Sequence, residues 1–367
     1  MGILEIMHAS MKRFVNILSV GLAAVLASAC YDEYVKDFDY TSVYFANQYD
    51  LRTFVIGESE SFDVGVVLGG TISNTRDRVV SVTLDNSLVD GDLSVFQAYD
   101  PDSETEITPF TAYDGMMGAA PIGVLINPYV TNEFRAMPTG FSALKPLPSA
   151  YFNVEGDLSA MCIAKGRHTA TVTLKADVDE LTSNLNTVKP YYALGLRILK
   201  ADADTVLQEK SFEVIAVKYE NRFFGNWYHG GKAVTVDDAT GDVVDRLVYP
   251  TPFPQSEDEI YVLSTVGADA LETNRVSKGQ IPGLLTLTFD GDDVEVLEAY
   301  GRLKIKPYGE GSHVLRAHKL QDRRIYLNYQ IDNENGTHTI VTDTLTFRNR
   351  IRDGINEWQD ENPANYD

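Results

Sequence analysis

Apolar and polar residues alternate in short runs from about residue 42 onward, and the period is that of strands. Ser42 to Ala46 (SVYFA), Thr53 to Ile56 (TFVI), Ser61 to Leu68 (SFDVGVVL) and Val79 to Leu84 (VVSVTL) are brief, β-branched and aromatic-rich. In His168 to Lys175 (HTATVTLK), Ala170, Val172 and Leu174 fall on one face, and Thr169, Thr171, Thr173 and Lys175 on the other. That pattern predicts a strand with one face buried and one wet. Tyr191 to Leu199 and Ser211 to Val217 complete about seven to eight strands. With no long amphipathic helix among them, the run predicts an antiparallel sandwich over 42–216.

Two features break this rhythm. From about 90 to 148 the chain carries Pro101, Pro109, Pro121, Pro128, Pro138, Pro146 and Pro148, which predicts a long insertion at one end of the sandwich. Near Asn221 a second β-rich block starts, with runs at Val243 to Tyr249, Glu259 to Thr265, Leu284 to Phe289, Val294 to Ala299, Leu303 to Lys306, Arg323 to Ile331 and Thr337 to Arg348. Asp290-Gly291 and Asn335-Gly336 predict tight hairpins, because both central positions of a type I′ turn need positive φ. Short turns between successive strands predict an antiparallel up-and-down, barrel-like domain over 217–367. The fold class expected is therefore all-β.

The first 29 residues read as an address. Lys12-Arg13 precedes an uncharged run from Phe14 to Ala29, which ends in Ala-Ser-Ala before Cys30. A basic start, a short apolar stretch and small residues before a cut site describe a secretory signal. The run is shorter than the ~20 residues of a membrane-spanning helix. Residues 30–41 follow as a linker.

The chain has 31 basic and 53 acidic residues, a formal charge of −22. Nucleic acid is a poor partner for such a surplus, since phosphate binding needs a basic stripe. Two cysteines exclude a disulfide framework. Cys162 lies in the run Ala160 to Ala164, where it is expected as a small buried apolar residue.

Ala27-Ser28-Ala29-Cys30 resembles a bacterial lipobox, with Leu26 one place further out than usual. The resemblance implies that Cys30 is acylated, so that the membrane is met through a lipid anchor only. Asp32-Glu33 is similar to the acidic export signal of Bacteroidetes surface lipoproteins, which implies the outer face of the outer membrane. VYFANQ (Val43 to Gln48), LPSAYFNV (Leu147 to Val154), KGRHTATVTL (Lys165 to Leu174) and YYALGLRILKADADTVL (Tyr191 to Leu207) resemble the immunoglobulin-like domain at the N-terminus of many such lipoproteins, some of the polysaccharide-utilisation type. KYENRFFGNWYHGG (Lys218 to Gly231) and DTLTFRNRIRDGINEWQDENP (Asp343 to Pro363) resemble the domain that accompanies it. The family has no catalytic residues to carry over. Gly225-Asn226-Trp227 also resembles the opening of lipocalin-like barrels, which implies Trp227 as a core plug with Arg348 or Arg350 crossing its ring.

Motifs for chemistry are sparse. There is no Gly-x-Ser-x-Gly elbow, His-Glu-x-x-His pair or P-loop lysine. His313 and His318, five apart, fall on opposite faces of a strand, so no shared metal is expected. Asp100-x-Asp102-x-Glu104 has the alternate acids of a calcium loop, but Thr105 stands where glycine is needed. No cofactor and no catalytic residue is expected. Asp204-Thr205-Val206 and Asp343-Thr344-Leu345 resemble Bacteroidetes O-glycosylation sites. Aromatic planes stack on the C–H faces of sugars, which makes Tyr228, Tyr249, Trp358 and Trp227 candidate glycan contacts. Trp358 has a second reading, as a pin for the C-terminus.

These features point to a lipid-anchored surface protein that captures oligo- or polysaccharide, with an outer-membrane transporter as a further candidate partner. A structural or adhesive role is the alternative, and a hydrolase is the less favoured one.

Overall fold

The computed structural model describes residues 40–90, 145–249, 260–277, 284–298, 304–314, 320–353 and 355–358. Cys30, the calcium-like acids at 100–104 and most of the proline-rich insertion lie outside the described residues. So does His318.

The protein is all-β. One sheet runs, in spatial order, Thr205–Val206 (β10), Ser42–Phe45 (β1), Ser61–Gly69 (β3), Thr169–Ala176 (β8) and Phe152–Glu155 (β6). A second runs Tyr49–Ile56 (β2), Phe212–Asn221 (β11), Tyr192–Ala201 (β9), Arg78–Leu84 (β4) and Met161–Ile163 (β7), with Lys145–Pro146 (β5) beside β9. In β8, Ala170, Val172 and Leu174 are buried as their spacing requires. Their face meets that of the second sheet, and the core between them includes Phe45, Val66, Leu68, Phe54, Val82, Leu196 and Val217. Each fully buried side chain of this kind stabilises the fold by ~1.5–3 kcal/mol.

These sheets are mixed rather than purely antiparallel. β2 lies parallel to β11 over eight residue pairs, and β1 to β10 and β5 to β9 are parallel as well. β11 also runs to Asn221, across the border expected after residue 216. Cys162 is exposed, not buried: on the three-residue β7 its neighbours Met161 and Ile163 turn inward and it turns out.

The third sheet runs Val243–Tyr249 (β13), Gly225–Asp237 (β12), Ile260–Gly267 (β14), Ala270–Thr273 (β15), Leu285–Asp290 (β16), Asp293–Glu298 (β17), Gly311–Val314 (β19), Arg324–Asp332 (β20), Thr337–Arg352 (β21) and Ile355–Glu357 (β22), with Lys304–Pro307 (β18) beside β20. It closes, because β12 pairs with β21 along one edge and with β14 and β13 along the other. Tyr249 stands opposite Gly231 and Ile260 opposite Tyr228, so β13 and β14 are two halves of one barrel strand. β18 and β19 share β20 in the same way. Counted so, eight strands in chain order form an up-and-down barrel. Gly225 opens it at φ +126, where a Cβ would lie 2.7 Å from the Cβ of Arg350.

Both glycine hairpins are present, with different turns from those expected. Asp290 pairs with Asp293, so the central residues are Gly291 and Asp292. β20 and β21 are joined by the four residues 333–336, with left-handed backbone at Glu334 and Gly336. Asn335 caps that loop by accepting from the Thr337 N–H at 3.1 Å.

The two bodies are joined without a spacer. Only Arg222, Phe223 and Phe224 separate β11 from β12. Glu58, in the turn after β2, accepts from Arg323 Nη2 at 2.8 Å and from Arg350 Nη2 at 2.6 Å. Arg323 also donates to the Arg222 carbonyl at 2.8 Å, and Thr53 Oγ1 donates to Asp353 at 2.6 Å. Burial alone would raise Glu58, but hydrogen bonds and charge from Arg350 and Arg323 outweigh it and hold its carboxyl below the ordinary range.

Candidate functional site

Period two along a strand sends alternate residues into the barrel and out of it. Trp227 points in. It is 0% exposed, its Nε1–H donates to the Phe223 carbonyl at 3.0 Å, and its ring meets Phe347 edge-on. A sugar cannot reach it. Arg350 is buried over Phe224, and Arg348 lies over Tyr228. Tyr249, expected to be exposed, is 3% exposed, because its partner Gly231 sits on the inner face of β12. It cannot stack on a glycan either.

Tyr249 belongs to a polar cluster sealed in the barrel. Its O–H donates to Asp343, whose other oxygen accepts from Tyr329 at 3.1 Å. The Ser277 N–H donates to Tyr329 Oη at 2.8 Å, and Tyr261 donates to the Ser277 carbonyl. His229 stacks on Tyr261 at 4.1 Å. Its Nε2 is 3.2 Å from Asp343 Oδ1 but out of line for a hydrogen bond, and it has no other partner among the described residues. Burial first, and the charge of Asp343 second, push all three tyrosines above their ordinary range, so they remain donors. Asp343 is fully buried, which makes this network part of the barrel's core rather than a place for substrate.

The outer face is different. Cross-strand register lays it out in rows over β20, β21 and β12: Arg324–Thr346–Tyr228, then Tyr326–Thr344–Gly230, then Asn328–Thr342–Lys232, then Gln330–Ile340–Val234. β13 adds Val248 and Arg246 on one side of the lower rows, and β18 adds Lys306 on the other. Tyr326 is 38% exposed and Tyr228 half-buried under the Arg348 guanidinium at 5.9 Å. Rows are roughly 7 Å apart and strands roughly 5 Å, so Tyr228 and Tyr326 stand on either side of β21 at Thr344 and Thr346, and the strip continues through Thr342, Asn328 and Gln330 in the rows beyond, where Asn328 Nδ2 donates to the Glu310 carbonyl at 2.6 Å. Such a strip can stack on pyranose rings and hydrogen-bond their hydroxyls.

Tyr228 was a candidate contact in the sequence, whereas Arg348 and Arg350 were expected over Trp227 and instead lie over Tyr228 and Phe224; Tyr326, Asn328, Thr342 and Lys232 were not singled out. Alternation marked them as outward-facing, but nothing in the chain says which outward residues become neighbours. Trp358 stands apart, 55% exposed beyond β22. In β22 itself, Glu357 accepts from Arg350 Nε at 2.6 Å.

A scan against protein-family models finds no match, and neither does a search of curated proteins. Among solved structures, a Bacteroides ovatus protein of unknown function superposes with a TM-score of 0.59 at 22% identity, over 85% of this chain and 95% of that one. That likeness shows a shared fold. A B. ovatus multidomain protein including DUF1735 gives a TM-score of 0.37 at 9% identity, over 87% of this chain and all of that one. An auxiliary nutrient binding protein from Bacteroides thetaiotaomicron gives 0.37 at 11%, over 84% and 92%. At those TM-scores the two share too little geometry with this chain to inform its reading.

Proposed function

We propose that this is a lipid-anchored protein of the outer cell surface that captures oligo- or polysaccharide without cleaving it, on the outer face of β12, β21 and β20. The observation that carries this reading is the strip that begins at Tyr228 and Tyr326 and runs on through Thr344, Thr342, Asn328 and Gln330 in successive rows. Contacts to single sugars are weak, and a strip several residues long suits a polymer that makes many of them at once. The signal-like leader and Cys30 support placement outside the cell, where long polymers are met. A short peptide between β11 and β12 holds the strip at a set angle to the sandwich, which then serves as a spacer above the anchor.

Affinity electrophoresis of the full chain in gels containing a panel of polysaccharides tests this. At least one glycan should retard the protein, and Tyr326→Ala with Tyr228→Ala should abolish the retardation while the protein stays folded. Free migration in every gel would overturn the proposal.

A further inference from the structure

The same face has an electrostatic character opposite to that of the molecule. Acidic residues outnumber basic ones 53 to 31 in the chain. Yet the outward positions of β13, β12, β20 and β18 in the four rows above carry Arg246, Lys232, Arg324 and Lys306 and no carboxylate, those of β21 are uncharged, and Arg348 lies just beyond them over Tyr228. Asp332 comes only in the next row, opposite Lys304, which already pairs with Glu334 at 2.9 Å. Lys232, Arg246, Lys306 and Arg324 enter no ion pair among the described residues; Arg324 donates only to the carbonyls of Gln321 and Arg323. Cations with no ion-pair partner among the described residues are open to an anion supplied from outside. At ordinary ionic strength, charges beyond ~8–10 Å are screened, so a ligand on this face meets the local cations and not the net charge.

We infer that the glycan taken here is anionic, a polysaccharide bearing carboxylates or sulfates. The inference rests on the capture reading and narrows it to a substrate class. Tyr228 and Tyr326 would hold ring faces while Lys232, Arg324 and Lys306 meet the acid groups, spaced over three strands as along an extended chain. A lipid headgroup shares that charge, and Val248 is an exposed apolar residue at one side of the strip, so the vesicle arm of the test below separates the two. The centre of the strip is Thr342, Thr344 and Asn328.

The test is calorimetry with the full chain and four polymers in matched pairs: polygalacturonate against its methyl ester, and dextran sulfate against dextran. Vesicles of phosphatidylglycerol form a fifth arm. One of the charged polymers should bind, its neutral partner should bind at least about tenfold more weakly, and the pair Lys232→Glu with Arg324→Glu should cost at least about tenfold. Lys232→Gln with Arg324→Gln, gentler on the fold, should show a smaller loss in the same direction. Equal binding of a charged polymer and its neutral partner overturns the anionic class and leaves capture standing. Binding that survives both double variants overturns the assignment to this face. Vesicle binding without polymer binding assigns the face to membranes instead. Binding of nothing, here and across the electrophoresis panel, overturns capture itself.

Discussion

Glu213 offers a direct check on the packing of the second sheet. It sits on β11 at 7% exposure, and its side chain makes no hydrogen bond or ion pair among the described residues. Burial, with the nearby Asp50 charge added and Arg52 opposing, pushes its carboxyl from the ordinary 4.5 up to about 8. The folded chain therefore holds this proton between those pH values while the unfolded chain has released it. Stability from this source is full below pH 4.5 and is lost as pH rises through about 8. At ~1.4 kcal/mol for each tenfold change in proton affinity, the loss is on the order of 5 kcal/mol, with the coupling to Asp50 setting how much falls on each acid. Glu213→Gln keeps the shape and removes the charge. Urea unfolding followed by circular dichroism from pH 5 to 9 should show the wild type weakening with pH relative to the variant, the gap widening steadily from pH 5 to about 8 and levelling off above it. Parallel profiles for the two proteins would refute the assignment of Glu213 as a buried, unpaired acid.

Glu58→Ala leaves Arg323 and Arg350 buried with their shared carboxylate gone; a cost of ~3–5 kcal/mol is expected in chemical denaturation, since breaking a buried ion pair by removing one partner costs about that much. Asp343→Asn keeps an acceptor but removes the negative charge that raises Tyr249, Tyr261 and Tyr329, so alkaline absorbance titration should show tyrosines ionising at lower pH than in the wild type. Trp358→Ala, at an exposed position off the barrel's core, should change stability by no more than ~0.5 kcal/mol.

Strands with one wet face were readable from the chain alone. β8 announces itself because Thr169, Thr171 and Thr173 alternate with Ala170, Val172 and Leu174, and one hairpin lay close to Asn335-Gly336 even though the turn proved longer. Harder cases had a common cause. Cys162 lies on a strand of three residues, too short for a period to show which way it turns. Tyr249 ends its run, and only pairing with Gly231 reveals that it faces inward. The parallel pairing of β2 with β11 joins segments more than 150 residues apart, through a connection that leaves no local mark. The candidate face is the extreme instance. Lys232, Arg324 and Lys306 are unremarkable surface cations until closure of the barrel sets their strands side by side. Composition pointed the other way, because a surplus of acid over the whole chain hides a basic region on one side.

The three-residue passage from β11 to β12 has a hydrodynamic consequence. Arg222 has its carbonyl held by Arg323, and Phe223 and Phe224 are buried, so no swivel exists between sandwich and barrel. The molecule should tumble as one particle, with a single rotational diffusion tensor. Splicing a few glycines and serines after Asn221 should split that into two loosely tethered tumblers.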